Sequence, residues 1–81
     1  MNKKDKQSYP LTLAAEYEEV IVHSLHGGRQ FRGKCINLGL IPGKRIIIMN
    51  KNFRGPCVVK VNDSKIMIGN KMLSRIFVTK E

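Results

Sequence analysis

The chain has 81 residues, 42% of them apolar, and sets 15 Lys and Arg against 6 Asp and Glu, for a formal net charge of +9. A chain this short folds as one domain around a small core, which leaves little material for a deep substrate cavity, and its apolar content argues against global disorder. The positive charge favours an anionic partner, whether nucleic acid, an acidic protein face or an anionic membrane leaflet. A basic surface without such a partner fits the charge equally well, since Lys3, Lys4 and Lys6 already supply part of it from a tail.

Residues 1–9 read as a flexible basic N-terminal tail, with the ordered domain expected over 10–81 and Pro10 as its stiff entry. The opening Met-Asn-Lys-Lys-Asp-Lys leads into no apolar signal region, and no segment approaches the ~18 apolar residues of a membrane span. A cytoplasmic location is therefore expected. The β-branched cluster Val20-Ile21-Val22 marks Tyr17 to Leu25 as the first strand, and Gly27-Gly28 ends it. From Arg29 to Leu38, Phe31, Cys35 and Leu38 recur at the spacing of one helical face. Ile36 falls off that stripe, on the side of Arg29 and Arg32. Gly33 inside this helix reflects close packing or simple tolerance.

Gly39 is the natural helix stop, because glycine takes the left-handed conformation without a Cβ penalty; Leu40 is then expected to fold back on the Cys35 turn. Pro42-Gly43 has the composition of a type II turn. Ile46 to Met49 forms an unbroken apolar run, which predicts a strand covered on both faces. Beyond it, Cys57-Val58-Val59-Lys60-Val61 alternates as a strand with Cys57, Val59 and Val61 on one face. Asn62-Asp63-Ser64 reads as a turn, Lys65 to Ile68 as a short strand, Gly69 to Ser74 as one helical turn, and Arg75 to Thr79 as the closing strand. Five short strands with frequent turns predict a mostly β domain, a small antiparallel barrel with one helix after the first strand and a helical turn before the last.

Chemistry-bearing constellations are few. Glu16, Glu18 and Glu19 cluster at a strand start, and Ser24 lies between His23 and His26 without a nucleophile-elbow context, so no catalytic residues are assigned. His23 and His26 are the only neighbouring imidazoles, short of the three or four convergent ligands a metal site needs. Hence no metal site and no cofactor are assigned, with a transition metal ion held by the histidines and Cys35 or Cys57 as the lesser alternative. Cys35 and Cys57 sit in apolar runs with neither CxxC nor framework spacing, and read as small buried hydrophobes. Gly27-Gly28-Arg29 lacks the pattern of a nucleotide-phosphate loop. Eight cations and no acid lie between Val20 and Asn62, which makes nucleic-acid binding the general alternative. Its stacking platform is thin: Phe31 and Phe77 read as core, leaving Phe53 beside Arg54.

Leu11-Thr12-Leu13, the run from Phe31 through Leu38-Gly39-Leu40-Ile41-Pro42-Gly43, and the closing Ile76-Phe77-Val78 resemble the FeoA family of small accessory proteins of bacterial ferrous-iron transport. The family pattern L-x-x-x-L-x-x-L-G-L-x-P-G runs here from Phe31 to Gly43, with Phe31 and Cys35 in the first two Leu places. Asn37 stands where the family often carries an acid. The resemblance implies an SH3-like β-barrel, no enzymatic activity, and the membrane Fe2+ transporter FeoB, with its cytosolic GTP-binding region, as partner. It also implies a place at the inner face of the membrane through that partner, and no stable nucleic-acid complex. The same module forms the C-terminal domain of DtxR-type metal-dependent repressors, an alternative reading for this chain. Leu38, Gly39, Pro42 and Gly43 are assigned to structure. The candidate partner contacts are Arg29, Arg32, Ile36, Leu40 and Ile41, with helix-end packing an open alternative for the last two. Self-association is left open.

Overall fold

The computed structural model describes residues 7–52 and 55–81. Its frame is one antiparallel sheet of six strands: β1 Tyr9–Pro10, β2 Glu19–Leu25, β3 Arg45–Asn50, β4 Cys57–Val61, β5 Ser64–Ile68 and β6 Ile76–Lys80, ordered β1-β6-β2-β3-β4-β5. Helix α1, Arg29–Asn37, joins β2 to β3, and the single turn α2, Asn70–Leu73, joins β5 to β6. This is the expected mostly β, SH3-like arrangement, with one strand more than the five predicted. The additional strand is β1, where Tyr9 pairs with Val78 and Pro10 with Phe77. Tyr9, read as tail from its polar neighbours, is thus already in the sheet and packs against the core. Proline is tolerated there because β1 is an edge strand.

Two register shifts bend the sheet around its core, one in β2 between Val22 and Ser24, the other in β3 between Ile48 and Asn50. Such bulges increase local twist and let a short sheet curl. Alternation then turns Val20, Val22, Ile46, Ile48, Val59, Val61, Ile76 and Val78 inward, and Leu11, Cys35, Leu40 and Leu73 close the ends. β3 departs from its expected double cover. Ile46 and Ile48 are buried, but Ile47 and Met49 are only half-buried, so the core covers one face of the strand and the other is partly open. Phe77, read as core, likewise points outward between buried Ile76 and Val78, and its ring covers His26 at a centroid distance of 4.3 Å.

The first strand begins two residues later than its apolar run suggested. Tyr17 sits at φ 66° and donates its N–H to Ile48 O at 2.6 Å. Glu18 N–H bonds Ala15 O, and Glu18 Oε1 accepts from Ala15 N–H at 2.9 Å, so a closed turn replaces the strand's first two residues.

At the other end of the β2–α1 unit, the helix closes as the glycine predicted. Gly39 adopts φ +86°, Gly39 N–H bonds Ile36 O at 3.0 Å, and Leu40 N–H bonds Cys35 O at 2.8 Å. That pair of bonds is a Schellman closure. Gly43 follows at φ +95°, with Lys44 N–H bonding Ile41 O at 3.0 Å across the Pro42-Gly43 turn. Two further bonds pin this turn to β2: Gly43 N–H to Val22 O at 2.7 Å and Val22 N–H to Lys44 O at 2.9 Å.

The two helix-associated glycines should answer oppositely to alanine. A Cβ on Gly39 would demand a left-handed alanine and meet Val61 Cγ1 at 3.2 Å, so Gly39→Ala should cost about 1–3 kcal/mol in urea unfolding. Gly33 has open space where a Cβ would sit, so Gly33→Ala should add about 0.5–1 kcal/mol by removing the helix penalty of glycine. A loss of stability in Gly33→Ala would instead reveal packing that its open surroundings do not contain.

Candidate functional site

Helix α1 carries cations without an ion-pair partner among the described residues. Gly28 caps it through backbone alone, no acid lies in its first turn, and Arg29 stands at its first position. A cation there opposes the positive end of the helix dipole, so Arg29 is not placed for helix stability. One turn later, Arg32 and Ile36 follow on the same face. Arg29, Arg32 and Ile36, with Gly27 and Gly33, line an open hollow of about 440 Å³. Ile36 is 56% exposed there, whereas Cys35 beside it in sequence is buried.

The remaining two candidate contacts part company. Leu40 is fully buried at 0% exposure, because the Schellman bonds carry its side chain under the helix end; it is a core residue and leaves the candidate surface. Ile41, one residue on, is 40% exposed at the edge of a second concavity, on the outer face of β3 and β4. So three of the five candidate side chains converge on the helix hollow, Ile41 stands apart beside the turn, and Leu40 belongs to neither.

Of the other candidate constellations, the two histidines are tied to one hydroxyl. Ser24 Oγ is hydrogen-bonded to His26 Nε2 at 2.8 Å and to His23 Nδ1 at 3.1 Å. The β2 bulge at His23 lets both imidazoles reach it. No cysteine or carboxylate joins them: among the described residues, no group of three or more His, Cys, Asp or Glu side chains is placed to hold a metal ion. Two of the three clustered acids are likewise spent on the backbone, for Glu18 accepts from Ala15 N–H and Glu16 Oε2 from Lys51 N–H at 2.7 Å. Burial raises the Tyr9 phenol above its ordinary pKa, with the Glu18 charge adding to it. Phe53 and Arg54, the one exposed stacking pair the sequence offered, lie outside the described residues. Tyr17, 71% exposed in its left-handed turn, is an aromatic that the strand reading hid.

What sequence reasoning missed is the second concavity. It is an open groove of about 710 Å³ in which Lys44, Arg45 and Lys60 surround Ile41 and Ile47. The cations were visible individually, but the strand register that gathers them was not.

With the geometry in place, comparison with known proteins decides the family. The family model of the FeoA domain matches residues 9–80. The chain belongs to the FeoA family. It is 34% identical over 71 residues to a candidate Fe(2+) transport protein A of Methanocaldococcus jannaschii, covering 86% of this chain and 84% of that protein. The fold is similar to the crystal structure of an iron uptake regulatory protein (FeoA), with a TM-score of 0.87 and 28% identity, covering 93% of this chain and 100% of that one. A manganese-dependent transcriptional repressor is similar at a TM-score of 0.85 and 14% identity, covering 94% of this chain and 43% of that one. At that identity the likeness concerns the fold alone. FeoA is a family of ferrous-iron transport. No helix among the described residues of this FeoA-family protein is long and apolar enough to cross a membrane.

Both thiols are buried and free, and burial pushes the Cys35 thiol above its ordinary pKa, which disfavours the thiolate that reacts or binds metal. Native protein treated with iodoacetamide at about pH 8 should therefore stay unmodified while urea-unfolded protein labels at both cysteines. Mass spectrometry reads the difference, and prompt labelling of the native state would mean that a thiol opens to solvent.

Proposed function

We propose that this FeoA-family protein is a non-enzymatic, cytosolic accessory of ferrous-iron uptake that docks on a cytosolic part of the membrane Fe2+ transporter FeoB. The observation that carries the reading is the convergence of Arg29, Arg32 and Ile36 on one hollow with no facing acid. An exposed aliphatic residue flanked by two guanidinium groups suits a protein surface: the isoleucine supplies area to bury, and the arginines make bidentate bonds to carboxylates. Family membership and the iron-transport name of the Methanocaldococcus relative support the choice of partner. The described chemistry favours docking over catalysis, since the histidines are held by Ser24, two of the glutamates by backbone N–H groups, and the cysteines by the core.

The test is a double charge reversal, Arg29→Glu with Arg32→Glu, scored by co-purification with the transporter. Capture should fall about tenfold or more, the loss of roughly 1.4 kcal/mol of binding. The fold should survive, because a glutamate at the first helical position complements the dipole that Arg29 opposes. Undiminished capture by a folded variant would remove the helix face from the interface.

A further inference from the structure

The outer face of the sheet holds a second cationic surface built by strand register. Glu19 of β2 lies opposite Ile47 of β3, Ile47 opposite Lys60 of β4, and Lys60 opposite Lys65 of β5. Their inward neighbours Val20, Ile46, Val59 and Val61 are in the core, so this row faces away from it. The pinned Pro42-Gly43 turn forms a wall beside the row, and Ile41, Lys44, Arg45, Ile47 and Lys60 line the resulting groove of about 710 Å³.

Like charges directly opposite on antiparallel strands destabilise a sheet. Lys60 and Lys65 are such a pair, and neither has an ion-pair partner among the described residues, where Arg45 with Glu81 at 2.6 Å is the one salt bridge. Lys44 Nζ donates to a neutral acceptor, Asn62 Oδ1, at 3.1 Å. The repulsion is thus uncompensated among the described residues. An anionic occupant would relieve it. The groove's shape and lining select among such occupants. Ile41, 40% exposed, and half-buried Ile47 place aliphatic surface between the cations, no aromatic ring among the described residues lines the groove for a base to stack on, and a concave wall does not follow a flat bilayer. Glu19 at one end gives the occupant a direction, with its carboxylates towards β4 and β5.

We propose that this groove docks an acidic polypeptide segment carrying an aliphatic side chain between its carboxylates. The inference deepens the accessory reading and rests on it only for the owner of that segment, the transporter.

The 81-residue chain, 15N-labelled, is titrated with the synthetic peptide Asp-Leu-Glu-Asp-Leu-Glu. Backbone amides of Ile47, Lys60 and Lys65 should shift, less so as salt rises. Lys60→Glu turns the like pair into an opposite one. It should raise Tm by about 2–4 °C while weakening the peptide at least about tenfold, so that lost binding cannot be lost folding. Arg29→Glu with Arg32→Glu should leave peptide affinity within about twofold, as expected for charges on another surface. The proposal is overturned by no binding, by shifts confined to α1, by unchanged affinity in Lys60→Glu, or by tighter binding of oligothymidylate or phosphatidylglycerol vesicles at the same amides. Transporter capture, scored in parallel, separates the two readings. If the peptide binds as described but wild-type protein captures no transporter, the groove stands and the accessory reading falls. If Lys60→Glu loses peptide and transporter together, both stand.

Discussion

The end of helix α1 is held by Leu40 N–H to Cys35 O at 2.8 Å and Gly39 N–H to Ile36 O at 3.0 Å, two bonds that depend on Gly39 sitting at φ +86°. Everything that follows in the chain inherits its direction from that closure. Leu40 is driven fully into the core, Ile41 is turned outward, and the Pro42-Gly43 turn arrives where Val22 can bond it on both sides. β3 then starts in register with β2, which is what sets Ile47 between Glu19 and Lys60. The strand groove is therefore a consequence of that backbone event, whereas the helix hollow, lined by Gly27, Arg29, Arg32, Gly33 and Ile36, precedes it. A chain unable to take the left-handed step would misplace the groove, which is why the glycines here are read as structural although they sit between the two candidate surfaces.

Charge is distributed by the same logic. Acids among the described residues are largely committed at home: Glu16 and Glu18 satisfy backbone N–H groups around the Tyr17 turn, and Glu81 pairs with Arg45. Among the described residues, the cations of α1 and of β4–β5 have no such engagement. An exposed ion pair contributes little, so leaving surface lysines unpaired costs the fold little too. Two placements go further than indifference. Arg29 opposes a helix dipole and Lys60 faces Lys65, each a small local penalty that a neutral or acidic residue would remove.

Much of this was legible in the chain. The Phe31, Cys35, Leu38 spacing, the Leu38-Gly39 stop and the Pro42-Gly43 turn are local events, decided by backbone geometry over four or five residues. The alternation of Cys57 to Val61 identifies its buried face without any partner strand. What could not be read is what depends on distant contacts. Tyr9 is a strand residue only because Val78 is there to pair with it. An apolar run such as Ile46 to Met49 has the same composition whether one face or two are covered, and here the outer one is left half-buried. Leu40 and Ile41 are adjacent aliphatic residues that only the Schellman geometry separates into core and surface. Of the candidate contacts, Arg29, Arg32 and Ile36 were found by helical periodicity, whereas Lys60 and Lys65 are brought opposite each other by a hairpin whose register turns on Asn62 at φ 57°.

Sites are commonly sought where a sequence is chemically unusual, as in paired histidines, clustered acids or lone cysteines. In this molecule those residues are absorbed by ordinary structural duties, through the Ser24 hydroxyl, the Tyr17 turn and the core. The residues that line the two candidate surfaces are lysines, arginines and the isoleucines Ile36, Ile41 and Ile47. Their distinction is positional: Arg29 and Lys60 sit where local rules favour another residue, next to exposed aliphatic surface. A departure from local consistency that the fold itself does not use points outward, to something the protein meets.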